Sequence, residues 1–312
     1  MLPRSRVLSV LLLGLGVTLL VLGLAYPRVS VLGTVVPLDS VDYVIADDNA
    51  QLRLVGGELE TGPVERTFHV EYTDPKDSDT ATVRVGLTLG RPDAATDVDG
   101  LWVAEVYSYV LDRQSGSILA TPPATVADQL ATPPTEVAMA DSYWWAFPPD
   151  TAGQQYQLWD PLLRDTVTAR LHLPTRDEGG RTYQDYVVTV QPTNLAHNYV
   201  TAFTEPAPGR ALWYEGSRTL TVDRATGIIV NAVENVHLWE AGVNGEDPQD
   251  VLVFDGELTE ASQSHLRELA AQQTDRGVVN LVSTLVAALG GLLTLLGLVG
   301  VIGVFDKLRR KR

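Results

Sequence analysis

Cysteine is absent from all 312 residues. That excludes disulfide support, thiolate metal ligation and a cysteine nucleophile, so any outer part must hold itself together with an ordinary core. Lysine is scarce too: between the basic chain ends Lys76 stands alone. No Asn-x-Ser/Thr triplet occurs, which removes the standard N-glycan acceptor. There is no Gly-x-Ser-x-Gly elbow, no Gly-Lys-Ser/Thr phosphate loop and no His-Glu-x-x-His pair. The histidines, His69, His172, His197, His237 and His265, are scattered beyond metal-ligand spacing. Carboxylates cluster at Asp74, Asp77 and Asp79 and at Asp97 and Asp99, but neither stretch completes a calcium loop, and both read as solvated turns. These absences point away from catalysis, with no cofactor and no metal expected. A hydrolase assembled from residues far apart in sequence is the weakest alternative, because spacing does not reveal spatial geometry.

Long uncharged runs are present at both ends. Residues 7–26 and 277–305 read as transmembrane helices, since about 20 apolar residues cross a hydrocarbon core of roughly 30 Å. Arg4 and Arg6 precede the first run, and Lys307, Arg309, Arg310, Lys311 and Arg312 follow the second. Basic flanks stay inside, so residues 1–6 and 306–312 are expected in the cytoplasm and the body outside a plasma membrane. Gly23 and Ala25 leave a cleaved signal peptide as the alternative for the first run. Net charge is −16, and the body between the basic ends holds 16 basic against 38 acidic residues, a net of −22. This Lys-poor acidity resembles the composition of salt-adapted archaeal proteins, where screening weakens the repulsion between carboxylates. It also argues against a nucleic-acid partner.

The body, residues 27–255, alternates with the two-residue period of half-buried strands at 67–72, 82–89, 102–111, 182–190, 212–222, 228–239 and 251–254. Breakers such as TDPKDSDT and GVNGEDPQD lie between them. The expected fold is mainly β, an antiparallel sandwich or open barrel, between two terminal transmembrane helices. Helix is expected as a short turn at 125–130 and as a juxtamembrane element at 256–276, where ELTEASQSHLRELAAQQ lacks Gly and Pro. In the spans, Gly14, Gly16, Gly23, Gly290, Gly291 and Gly297 would let backbones approach, as a tight pair or a homo-oligomer contact. The ordinary glycine content of membrane helices explains them equally well.

Two stretches repeat a pattern about 111 residues apart, VLDRQSGSIL and VDRATGIIV. In each, the Asp side chain can bond backbone amides and the Gly can adopt the left-handed conformation of a hairpin loop. Asp112, Gly116, Asp223 and Gly227 are therefore structural turn residues. The stretch SYWWAFPPD packs Tyr143, Trp144, Trp145 and Phe147 ahead of two prolines, and Tyr156 and Trp159 follow. These six rings are the candidates for a ligand groove or a bilayer contact, with a plug at one end of the sheet as the plainer reading.

Phe147-Pro148, Tyr156, Trp159-Asp160 and Asp223 to Gly227, together with the two terminal runs, resemble the PorA-like family of actinobacterial two-span envelope proteins. The resemblance implies a membrane-anchored protein with a large outer domain and carries no catalytic residues. The porin label fits poorly, because a porin barrel needs strands of about ten residues alternating between lipid and lumen, whereas these segments read as short and rich in turns. The expectation is thus a non-catalytic binding or envelope-structure protein that handles a lipid or cell-surface ligand beside the lipid bilayer. An oligomeric pore or transport accessory built on the Gly-rich spans is the alternative.

Overall fold

The computed structural model describes residues 4–30, 36–54, 56–77, 79–128, 133–201, 203–272 and 276–301. Two compact units divide the chain, one made from its two ends and one from Val35–Gln273. The expected cytoplasmic tail, the last residues of the second span and the joint at 273–275 lie outside the described residues.

The terminal unit contains α1 (Arg4–Ser30) and the last helix of the chain, α4 (Arg276–Val301). In α1 the apolar stretch among the described residues is Ser9–Ala25. Among the described residues one helix is long and apolar enough to cross a membrane, Leu281–Val301. Of the two expected spans, the second is the one shown among the described residues. The helices run antiparallel at close range. A Cβ on Gly16, Gly23, Gly290 or Gly297 would collide with the opposite backbone at Thr294, Ala287, Leu20 or Leu13. Gly14 and Gly291 meet no such neighbour.

The second unit is one twelve-stranded antiparallel sheet. Its strands are β1 (Val41–Arg53), β2 (Leu59–Lys76), β3 (Thr80–Gly90), β4 (Leu101–Asp112), β5 (Ala124–Asp128), β6 (Thr135–Val137), β7 (Gln155–Asp160), β8 (Asp165–Glu178), β9 (Arg181–Asn194), β10 (Arg210–Asp223), β11 (Ile229–Gly242) and β12 (Gln249–Leu258). The order across the sheet is β6-β5-β4-β3-β2-β1-β12-β11-β10-β9-β8-β7, two six-strand meanders side by side. It is not the paired sheets of a sandwich, and it is not closed, since β6 and β7 are its edges. Alternation sets its faces. Val64, Phe68 and Val70 on β2, Val83, Val85 and Leu87 on β3, and Leu220, Val222, Val236 and Leu238 on β10 and β11 are buried on one side. The intervening Glu71, Arg84, Ser217, Thr219 and Asn235 lie on the other side, outside this core. A sheet with one apolar face must cover it. This one curls until distant strands touch, as where Tyr107 Oη of β4 donates to the Pro161 carbonyl beyond β7 at 3.3 Å.

Strands are longer than the sequence suggested, up to 18 residues in β2, because Pro63, Gly62 and Pro75 sit within the strand rather than end it. β1 is missed by periodicity because its register against β12 shifts between Ala46 and Gln51, which breaks the alternation. The described part of the short helix expected at 125–130 is strand β5 instead, paired with β4 and β6. A four-residue helix, α2 (Asp97–Gly100), precedes β4. The helix expected at 256–276 is α3 (Glu260–Gln272). It starts later than expected because Leu258 still pairs with Ile45 and Thr259 supplies the cap, its Oγ1 accepting from the Ser262 amide at 3.3 Å.

Both Asp-Arg-x-Ser/Thr-Gly stretches are tight turns after corresponding strands of the two meanders, β4 and β10. Asp112 Oδ1 accepts from the Ser115 amide at 2.7 Å, and Asp223 Oδ1 from the Thr226 amide at 3.0 Å. Gly116 and Gly227 have φ of +76° and +77°. They differ in their surroundings: a Cβ on Gly227 would strike the Phe147 carbonyl, whereas one on Gly116 has its nearest atoms at 3.5–3.6 Å. Gly116→Ala should cost about 1–2 kcal/mol, the strain of a left-handed residue, and Gly227→Ala distinctly more. Thermal unfolding of the two variants side by side checks the ranking, and equal losses would contradict it.

Candidate functional site

The segment after β6 crosses the curled sheet from one turn to the other. The Ile118 amide, just beyond the first turn, donates to the Ser142 carbonyl at 3.0 Å. The Phe147 amide donates to the Gly227 carbonyl at 2.7 Å, and the Asp150 and Thr151 amides donate to Ala225 and Arg224. The aromatic run thus spans the interior and places its rings on two sides of the strand direction. Tyr143 and Phe147 join Tyr156 and Tyr186, with centroids 4.9–6.1 Å apart. Trp144 stands edge-on to Tyr107 at 4.9 Å, and Trp159 lies 6.2 Å from Tyr107. Four of the six candidate rings, Trp144, Trp145, Phe147 and Trp159, are buried. Trp144, Trp145 and Trp159 line an inner chamber of about 60 Å³, while Phe147, Tyr143 and Tyr156 pack in the neighbouring cluster and do not line it.

Arg66, Arg218 and Glu234 in the wall of that chamber belong to a row of buried charges. Arg66 Nη1 donates to Glu234 Oε2 at 2.6 Å. Arg218 Nε lies 3.0 Å from Glu234 Oε1, and its Nη1 lies 2.9 Å from Asp160 Oδ2. The four residues are only 2%, 5%, 4% and 0% exposed in the order Arg66, Glu234, Arg218, Asp160. Tyr214 Oη also donates to Asp160 Oδ2 at 3.0 Å, and the Leu162 and Leu163 amides donate to Oδ1. Burial pushes the Asp160 carboxyl up, but the Arg218 guanidinium, with Arg66 and the Leu163 amide, outweighs it and holds the pKa below the usual carboxylate range. Burial likewise opposes the charge on Arg218, and Asp160, Tyr214 and Glu234 more than restore it. Two positive and two negative charges alternate, so the row is neutral.

A second hollow of about 440 Å³ opens at the end of the sheet away from the two turns. Trp102, Phe203, Leu212 and Val251 form its apolar walls, with Leu54 beside them. Arg53 and Glu240 pair at its rim at 3.2 Å. Its size falls within the range of small-molecule sites, roughly 300–1,000 Å³. Sequence reasoning reached neither this mouth nor the ion row. The row left a signal nonetheless: Arg66, Arg218 and Glu234 occupy inward positions of otherwise apolar alternations, between Val64 and Phe68, ahead of Leu220, and between Ala232 and Val236.

Among the described residues no group of three His, Cys, Asp or Glu side chains is arranged to hold a metal ion. His237 lies between Glu215 and Asp250 on the outer face, and His69 bonds Asp42 there. Asp77 bonds the Asp79 and Thr80 amides in the β2–β3 turn.

The chain thus combines an apolar, C-terminally placed helix with a curled antiparallel sheet that is hollow at one mouth. A family model described as Porin PorA matches residues 8–299, nearly the whole chain, and the protein belongs to that family. Membership and the apolar helix together mark it as a membrane protein. No curated protein matches the chain.

The row predicts an acid-sensitive fold. A carboxyl whose folded pKa is depressed adds stability above its unfolded value, about 3.9, and that stability is lost as pH falls through the folded pKa. Asp160→Asn should flatten this acid limb and, by stranding Arg218 in the interior, lower stability at neutral pH by about 3–5 kcal/mol. Denaturant unfolding of both proteins from neutral to acid pH measures this; parallel curves would contradict it.

Proposed function

We propose that the protein is a non-catalytic, membrane-anchored binding protein whose β-rich domain takes an apolar or amphipathic ligand, such as a lipid, into the mouth walled by Trp102, Phe203, Leu212 and Val251. The observation that carries this reading is the polarity of the sheet. A strand-built pore would turn apolar side chains to lipid and polar ones to a wet lumen. Here Val64, Phe68, Val85 and Leu238 face inward and Glu71, Arg84 and Ser217 outward, so the sheet behaves as a water-soluble container open at one end. A dansyl-labelled acyl probe should bind the full chain saturably, with Phe203→Ala weakening it about tenfold, the worth of a few buried methylenes. Absence of saturable binding would end this reading.

In the same proposal α1 and α4 cross the membrane as an antiparallel pair, both chain ends lie in the cytoplasm and the sheet domain lies outside. The close approaches at Gly16, Gly23, Gly290 and Gly297 support a paired insertion, which can shelter a short apolar helix. The acidity of the outer body is read as adaptation to high salt. External protease on intact cells should leave a C-terminal tag attached to α4; its removal would reverse the orientation. The pore that the family description names is the second reading, favoured by the uncovered Gly14 and Gly291 as contacts for further copies. Conductance in planar bilayers would favour that pore, built from helices of several copies.

A further inference from the structure

The polar side of the mouth is short of negative charge. Glu240 continues the inward series of Val236 and Leu238 on β11, which brings its carboxylate to the open end of the apolar walls. Two guanidinium groups share it. Arg53, the last residue of β1, lies 3.2 Å away through Nη2, and Arg210, the first of β10, lies 4.0 Å away through Nε. Among the described residues Glu240 is the one carboxylate within 4.0 Å of either group. Glu246, in the neighbouring turn, bonds that turn instead, accepting from the Asn244 amide at 3.1 Å. The rim thus sets two cations against one anion, whereas the inner row balances two against two.

The two guanidinium groups differ in what they have left to offer. Arg210 is committed to the backbone, its Nη2 donating to the Glu240 carbonyl at 2.8 Å and to the Asp247 carbonyl at 3.1 Å. Arg53 donates no hydrogen bond among the described residues. Only its Nη2, turned to Glu240, is closed off; Nε and Nη1 stay accessible, on a side chain that is 22% exposed and lines the hollow. A guanidinium with free donors beside apolar walls favours an acceptor that carries negative charge. Charge-assisted hydrogen bonds are the stronger kind, and the planar fork matches the oxygens of a carboxylate or a phosphate. The partial exposure of the rim keeps the desolvation cost of such an anion far below that of the sealed interior. The acidity of the domain as a whole opposes it mainly at low salt, because charges more than about 10 Å away are screened at 0.1 M.

We propose that the mouth takes an anionic amphiphile, a single acyl chain ending in a carboxylate or a phosphate, with the chain against Trp102, Phe203, Leu212 and Val251 and the head on Arg53. This rests on the reading of the mouth as an acyl-binding site and adds the head group that the site selects. Space permits it: the hollow of about 440 Å³ has room for roughly fifteen groups at ~30 Å³ each, and decanoate has about a dozen non-hydrogen atoms.

The test uses the full chain in lipid nanodiscs and measures displacement of the methyl ester of the dansyl acyl probe, with empty nanodiscs titrated alongside to correct for partitioning. Decanoate, decyl phosphate, decan-1-ol and decylamine present one chain with different heads. At neutral pH the tighter of the two acids should displace the probe at about tenfold lower concentration than decanol, with decylamine weakest, and its identity names the head. Arg53→Gln should weaken that acid about tenfold and leave decanol within about twofold, whereas Arg53→Lys should keep part of the preference. Glu240→Gln should strengthen the acid, because both guanidinium groups are then left to the ligand. Phe203→Ala should weaken all four alike. The head-group series on the unaltered chain decides the matter even if Arg53→Gln fails to fold. Decanol or decylamine binding as tightly as both acids, or a preference that survives Arg53→Gln, would overturn the proposal and leave the mouth as an acyl site without head-group selection. Failure of the probe itself to bind would end both readings.

Discussion

The ion row Arg66–Glu234–Arg218–Asp160 is the constraint on which the curled sheet depends. Its members come from β2, β11, β10 and the end of β7, so it joins both meanders through the interior. In a low-dielectric core each charge needs its partner, because removing one strands another at a cost larger than most single contacts. The sheet therefore has few ways to uncurl or slip. A one-residue slip of β10 would turn Arg218 outward and leave Glu234 and Asp160 buried without it. Apolar burial supplies the bulk of the driving force, and the row selects the register in which that burial occurs.

Around this row the aromatic run acts as a tie. An open sheet of twelve strands leaves two edges, and β6 is only three residues long. The run from Met139 to Thr151 closes the gap at one end by bonding to the chain beyond each Asp-Arg-x-Ser/Thr-Gly turn. The two turns are alike because the two meanders present equivalent ends to the same crossing strand. Their differences are equally instructive. Asp223 is also gripped by Arg181, Nε to Oδ2 at 2.5 Å, and the same guanidinium holds the last turn of α3. Arg113 of the first copy instead donates to the Asp77 carbonyl at 2.7 Å. A single turn design is fitted to two different neighbours.

What could be read from the chain was whatever depends on local periodicity. Alternation located β3, β4, β9, β10 and β11 because one face is buried throughout their length, and the Asp and Gly of the turns announce their own hydrogen bonds. β1 escaped because its bulge breaks the period, and β5 because its few residues between prolines resemble a turn. The aromatic run was visible as composition, but its path was not, since only long-range pairing decides that it spans the sheet. The ion row and the mouth were illegible for the same reason. Arg66 meets Glu234 across 168 positions of sequence, and Trp102 of β4 meets Phe203, in the connection before β10, at 4.9 Å. A charged residue in an apolar register is a sign that some partner exists, and topology alone supplies its identity.

The polarity of the sheet also bears on what the family name describes. Permeation needs a wet path, and the interior of this sheet is filled by Tyr107, Trp144, Trp159, Phe254 and Tyr214, all buried. A neutral ion row, with each carboxylate held against a guanidinium, offers a passing ion no uncompensated charge, and moving a bare ion past it would forfeit hydration without replacement. In the pore reading proposed above, the conducting route would lie among helices. In α1 and α4 the glycines that could admit other helices are already divided, Gly16, Gly23, Gly290 and Gly297 used within the pair and Gly14 and Gly291 left open. In that proposed reading the division would let pairs add to pairs while each sheet domain stays intact.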